Sequence, residues 1–165
     1  MLASDNFVPQ IEQEIGEEKE IVVEIRRVMK VTKGGKRLKF RAVIVCGNQK
    51  GEGGFGVGKA SEVPEAIRKG RERAYRNRIA ISLNGSTIAS AVEAKYDASC
   101  VILKPASKGH GLVAGKTMRA FLEVMGVRDA VCKVIGSTNT INVLNATYKA
   151  LKFLELKEKK GVENS

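Results

Sequence analysis

Two runs of alternating apolar and charged residues stand on either side of a glycine turn. Ile21 to Val31 reads IVVEIRRVMKV, Leu38 to Cys46 reads LKFRAVIVC, and Lys33-Gly34-Gly35-Lys36 lies between them. β-branched residues at period two favour strands, and glycine supplies the backbone freedom that a tight turn demands. An antiparallel hairpin is therefore predicted, and it restricts how the glycine-rich stretch behind it can fold. Gly47 to Gly58 carries six glycines in twelve residues, and Gly51-Glu52-Gly53-Gly54-Phe55-Gly56 satisfies a dinucleotide-binding pattern. Gly53 to Lys59 also satisfies most of a phosphate-binding P-loop. Such loops follow a parallel strand in a βαβ unit, whereas this one follows a hairpin. Ala60 stands where a Ser or Thr would hold magnesium, and an arginine-rich helix occupies the place of the acidic ribose ligand. A nucleotide-binding enzyme is thus the rival reading. The preferred one is that the glycines pass a tight β-connection or let backbone approach an RNA phosphate backbone.

Phe55-Gly56-Val57 reads as a short third strand. Ser61 then caps a helix that admits Pro64 in its first turn and runs to about Ile79. Val63, Ile67, Gly70 and Ala74 form its narrow apolar stripe. Asn84-Gly85 marks a boundary. Beyond it Thr87–Ala94 and Cys100–Lys104 read as an antiparallel pair, Pro105–Gly111 as a loop, Lys116–Met125 as a helix closed by Gly126, and Val131–Gly136 as a strand. Asn139 or Thr140 caps a last helix with Ile141, Leu144, Tyr148, Leu151 and Leu154 on one side. The fold class is α+β, a β-β-β-α unit followed by a β-β-α-β-α unit. The expected organisation is an acidic flexible extension over 1–20, domains over 21–84 and 85–156, and a frayed charged tail over 157–165.

Charge selects the partner. The chain carries 29 Lys plus Arg against 18 Asp plus Glu, a formal net charge of +11. On a folded domain this is the footprint of a polyanion binder, and no apolar run is long enough to span a membrane. The first twenty residues run the other way, with Asp5, Glu12, Glu14, Glu17, Glu18 and Glu20 against Lys19, and read as a solvated stretch held off RNA. The hairpin crowds Arg26, Arg27, Lys30, Lys33, Lys36, Arg37, Lys39 and Arg41 together, and the first helix adds Arg68, Lys69, Arg71, Arg73, Arg76 and Arg78. Glu65 and Glu72 are too few to neutralise that helix. The residues expected to bind RNA are Arg26, Arg27, Lys30, Lys33, Lys36, Lys59, Arg68, Arg73 and Arg76, with Gly34 and Gly35 shaping the hairpin tip. Aromatics are 5% of the chain, so recognition by shape and phosphate is expected rather than stacking on single strands. His110 stands alone in a glycine loop without a partnering acid or nucleophile, and neither catalytic residues, a metal site nor a cofactor is expected. Cys46, Cys100 and Cys132 have no ligand spacing and read as buried free thiols.

Arg27-Val28-Met29-Lys30-Val31-Thr32-Lys33-Gly34-Gly35 and Gly54-Phe55-Gly56-Val57-Gly58-Lys59-Ala60 resemble the bacterial-type small-subunit ribosomal protein family conventionally numbered five. So do Glu62-Val63-Pro64, Pro105-Ala106-Ser107, Met118-Arg119-Ala120 with Leu122-Glu123-Val124, and Gly136-Ser137-Thr138-Asn139. The resemblance runs in order from about Ile21 to Leu151. It implies a double-stranded-RNA-binding-like first domain and a second domain of the family's own fold. It implies a structural constituent of the small ribosomal subunit, bound to 16S-type rRNA near the head–body junction and the messenger RNA entry channel. Small-subunit proteins four and eight would be its neighbours, decoding accuracy its influence, and the ribosome of bacterial cytoplasm or of an organelle, a plastid first, its location. The hairpin would lie near the rRNA helix where spectinomycin binds. Glu52, His110, Lys116 and Thr140 depart from the family's usual residues. A free-standing double-stranded-RNA-binding regulator is the second rival.

Overall fold

The computed structural model describes residues 18–163, apart from the side chains of Lys30, Thr32 and residues 156–163. Most of the acidic extension therefore lies outside the described residues. Strands β1 (Lys19–Thr32) and β2 (Gly35–Gly47) form the hairpin, closed by the two residues Lys33 and Gly34, with Thr32 opposite Gly35. β3 (Glu52–Ala60) runs antiparallel to β2 and is longer than the three residues expected. Helix α1 (Val63–Arg76) crosses the sheet, and the two-residue β4 (Ile79–Ala80) adds a fourth strand beside β3.

Glycine decides how α1 meets β3. Gly54, Gly56 and Gly58 lie two apart and so point to one face of the pleat. A Cβ on Gly54, Gly56 or Gly58 would collide with α1 backbone at Ala74, Gly70 and Ala66 respectively. On the helix side the buried residues are Ala66, Gly70 and Ala74. Small residues on both surfaces bring helix axis and sheet unusually close. The glycines thus serve the protein's own packing at this face, not the approach of a phosphate backbone. Gly53 to Lys59 is antiparallel strand throughout, which leaves no P-loop.

Local signals fail at the ends of α1. The N-cap is Glu62, not Ser61, and it makes no side-chain cap; Pro64 sits in the first turn as expected. The helix stops at Arg76, because Ile79 is drawn into β4.

Beyond α1, β5 (Leu83–Asn84) and β6 (Thr87–Ile88) make a small hairpin around Gly85. β7 (Val92–Tyr96), β8 (Ser99–Pro105), β9 (Leu112–Val113) and β10 (Ala130–Gly136) form a second sheet in the order β7-β8-β10-β9. β9 pairs parallel to β10, a strand in the stretch between Gly111 and Lys116 to which the sequence reading gives no element. α2 (Lys116–Met125) ends at Gly126 in the left-handed conformation, φ 93°, as its sequence demands. α3 (Thr140–Glu163) is capped by Asn139, whose Oδ1 accepts the Ile141 amide at 3.1 Å. The charged tail expected to fray stays helical to Glu163.

One hydrophobic core joins both halves. Phe121, Leu122, Val124 and Met125 of α2 pack with Val43 and Val45 of β2 as well as with Leu144 and Leu151 of α3. Phe55 reaches across to Phe121 and Tyr148, edge to face at centroid distances of 6.2 and 5.8 Å. The loop after β2 is tied to the end of α2: the Gln49 amide donates to Val124 O and the Gly51 amide to Met125 O. Among the described residues, no helix is long and apolar enough to cross a membrane, and no cluster of His, Cys, Asp or Glu could hold a metal.

Candidate nucleic-acid interface

Residues opposite one another in an antiparallel pair share a face, so the register sorts the hairpin's cations. Arg26 faces Arg41, Lys30 faces Arg37, Val28 faces Lys39, and across β3 Arg41 faces Lys59. One face thus gathers Arg26, Lys30, Arg37, Lys39, Arg41 and Lys59. The other gathers Arg27, Met29 and Val31 opposite Phe40, Leu38 and Lys36. On it Met29, Val31 and Leu38 are exposed, forming an apolar tip beyond the end of α1.

Among the described residues, the sheet's basic face carries an acid of its own. Glu24 takes Arg26 Nε at 2.6 Å and lies 3.9 Å from Arg41. Arg26 remains largely exposed, with its terminal nitrogens able to reach outward. Arg37, Lys39 and Lys59 meet no carboxylate among the described residues. They border an open groove of about 570 Å³ beside the edge of β2, whose far wall is Lys69 and Glu65. The edge is free there because β3 ends at Ala60, opposite Phe40. A polyanion meeting this strip would find several cations within one hairpin width and little cost of prior ion pairs.

The cations of α1 are differently placed. Arg68 is held by both Glu65 (2.9 Å) and Glu72 (2.8 Å), a solvated pair on the helix's outer face that keeps the Glu65 carboxyl below its usual range. Arg71 Nε binds Glu20 at 2.8 Å, and Tyr75 Oη donates to the same carboxylate at 2.6 Å. Arg78 binds Glu18 at 2.7 Å and approaches Glu52 at 3.6 Å. Burial works against the Glu18 charge, yet hydrogen bonds from Tyr75 and Arg78 outweigh it and hold the carboxyl low. The expectation that Glu18 and Glu20 stand off in solvent is therefore corrected: β1 begins at Lys19, and Glu20 is buried against α1. Arg73 is exposed and donates to Val57 O at 2.6 Å; Arg76 is exposed with no carboxylate partner among the described residues.

The expected RNA-binding residues consequently do not form one surface. Arg26, Lys30 and Lys59 lie on the basic face, with Lys30 known by its strand position alone. Arg27 and Lys36 lie on the opposite face, and Arg68, Arg73 and Arg76 follow α1 on that side. Lys33 and Gly34 form the exposed turn, and Gly35 follows with φ 126°. The sequence reading leaves Arg37, Lys39 and Arg41 out of its set. The observed turn at Lys33 and Gly34 pairs them with Lys30, Val28 and Arg26, whereas the sequence reading places the turn over Lys33–Lys36.

The thiols have no place in this surface. Cys46 and Cys132 are buried, and burial pushes each up to about 11; Cys100 is only half-buried, against expectation, on the open face of the second sheet. His110 is exposed in its loop.

Residues 18–82 match the family model described as ribosomal protein S5, N-terminal domain, and residues 94–161 the model described as ribosomal protein S5, C-terminal domain. The small ribosomal subunit protein uS5 of Campylobacter jejuni strain 81-176 is 49% identical over 136 residues, covering 82% of this chain and 92% of that protein. The protein of the same name from Campylobacter jejuni strain RM1221 is similar to the same extent.

Proposed function

Because the chain belongs to the ribosomal protein S5 family, we propose that it braces small-subunit rRNA through the basic face of the β1–β2 hairpin. At the coarser level it is a ribosomal protein of the small subunit, with a structural and RNA-binding role in translation. The finer reading rests on one observation: strand register gathers Arg26, Lys30, Arg37, Lys39, Arg41 and Lys59 on one side of a protruding hairpin, where Glu24 pairs with Arg26. The protein's contribution is charge neutralisation and shape, not catalysis. A hairpin of this kind reaches an rRNA junction as a rigid arm, with the shared core as its base.

The family resemblance extends the proposal. It supports a site near the head–body junction and the messenger RNA entry channel, contacts with small-subunit proteins four and eight, and an influence on decoding accuracy. The exposed Met29, Val31 and Leu38 support a hairpin that is covered on both sides once assembled. The units proposed for these roles are 21–84 for the hairpin domain and 85–156 for the second.

Salt-dependent binding to small-subunit rRNA tests the residue assignment. Arg37→Ala is expected to lower the slope of log affinity against log salt by about one, since one phosphate contact is lost. Arg68→Ala is expected to leave the slope unchanged, its guanidinium being held by Glu65 and Glu72. The reverse outcome would move the interface from the hairpin to α1.

A further inference from the structure

β2 outruns one of its neighbours. It pairs with β1 along its length, but β3 stops at Ala60, opposite Phe40. Lys36 to Lys39 therefore have β1 on one side and, among the described residues, no strand on the other. Every second residue of an antiparallel strand turns both its N–H and its C=O to the same side. The overhang thus sets main-chain donors and acceptors along the groove of about 570 Å³ between β2 and the first half of α1. Such an edge is a template for a group that can donate and accept hydrogen bonds in one plane.

The lining of the groove has two parts. Leu38, 41% exposed, and Ala60 give an apolar patch against which a flat ring can lie. Arg37, Lys39, Lys59 and Lys69 surround it with positive charge, and Lys69 Nζ donates to Lys59 O at 3.4 Å. The carboxylate in the lining, Glu65, is bound by Arg68 at 2.9 Å and opposes them little. A phosphodiester accounts for only part of this. Its oxygens accept hydrogen bonds and do not donate, so they satisfy the cations and strand N–H groups but leave the strand C=O groups unmet. An unstacked base offers donors and acceptors together on one edge and brings its own phosphate with it. The lining includes no aromatic ring, so a base would be held by its edge and its phosphate rather than by stacking.

We propose that the groove takes one unpaired nucleotide of the bound RNA, its base edge on the main chain of Lys36–Lys39 and its phosphate among Arg37, Lys59 and Lys69. This deepens the reading of the hairpin's basic face and rests on it. The open face supplies phosphate contacts that any RNA can meet. The groove adds a contact that requires a base to be out of its helix, so the hairpin favours a bulge or junction over continuous duplex.

Full-length protein bound to small-subunit rRNA, probed with reagents that modify the pairing edges of bases, tests this. One nucleotide reactive in free rRNA is expected to be protected in the complex. Ser61→Phe fills the groove from an exposed position without changing charge. It is expected to restore that reactivity and weaken binding about tenfold, the loss of one base contact, with the salt slope unchanged. A photoreactive benzophenone residue in place of Ser61 should cross-link to the same nucleotide, which keeps the test independent of how well the Phe variant folds. If Arg37→Ala lowers the slope while Ser61→Phe alters neither reactivity nor affinity, the hairpin reading stands and the groove proposal falls. If Arg37→Ala leaves the slope unchanged and no nucleotide is protected, both fall together. A cross-link from position 61 in assembled subunits to a protein and to no nucleotide overturns the proposal in favour of an added protein strand.

Discussion

Gly58 and Gly34 are the same residue under opposite constraints. A Cβ at Gly58 would run into the Ala66 carbonyl and the Gly70 amide, both backbone atoms that cannot rotate away. Gly58→Ala is therefore expected to cost at least the ~1–3 kcal/mol typical of overpacking, read as a fall in the urea midpoint. Gly34→Ala meets open space, and its cost should be near zero in the same experiment. Asp129 makes a different case. It is buried, accepts the Ser86 hydroxyl, and takes the Gly111 amide at 2.8 Å, so it pins the β8–β9 loop to the β5–β6 turn. The Ser86 hydrogen bond first, then the Gly111 amide, hold its carboxyl below the ordinary value. A carboxyl lowered in the folded state contributes stability above its unfolded pKa and loses it as pH falls through the folded one. Asp129→Asn should remove this part of the acid sensitivity below about pH 4, measured as stability against pH. An unchanged acid limb would show that Asp129 is not a source of it.

At the scale of elements, the hairpin and α1 behave as partners with separate duties. β1 is bound to α1 at its beginning through Glu20, with Glu18 just before it held by Arg78 beyond the helix end, while its far end projects with β2 past the helix. Breaking the root should loosen the element without touching its charged face. Glu20→Gln leaves Arg71 facing a neutral amide in a buried site, a change expected to destabilise by about 1–3 kcal/mol. It should also speed hydrogen exchange at the start of β1 while the salt slope of RNA binding stays constant. A changed slope would mean that Arg71, once released, joins the RNA contacts. α1 offers less to RNA than its arginine count suggests, because Arg68 is held by Glu65 and Glu72 and Arg71 by Glu20.

For the whole molecule, the shared core has a consequence for unfolding. α2 is buried on nearly all sides because both halves use it: the first sheet packs on one flank and α3 on another. Phe121→Ala is expected to cost about 3–5 kcal/mol, the range for large cavities in a core. The loss should lower the protection of α1 and α3 amides together. Protection lost in α3 alone would show that the halves unfold independently despite their common core.

Local pattern determined much of this protein. The hairpin and α2 with its Gly126 cap follow from period, turn chemistry and capping, interactions that span a few residues. The pairing of Arg26 with Arg41 and Lys30 with Arg37 depends on a two-residue turn at Lys33 and Gly34, where the sequence reading has a turn over Lys33–Lys36. Tertiary structure alone decided which cations remain available. Arg71, Tyr75 and Arg78 find carboxylates 51, 55 and 60 residues away, and no local signal announces partners at that separation. It also decided what the glycines of β3 are for and where α1 ends, because both depend on a neighbouring backbone that only the folded chain brings within reach.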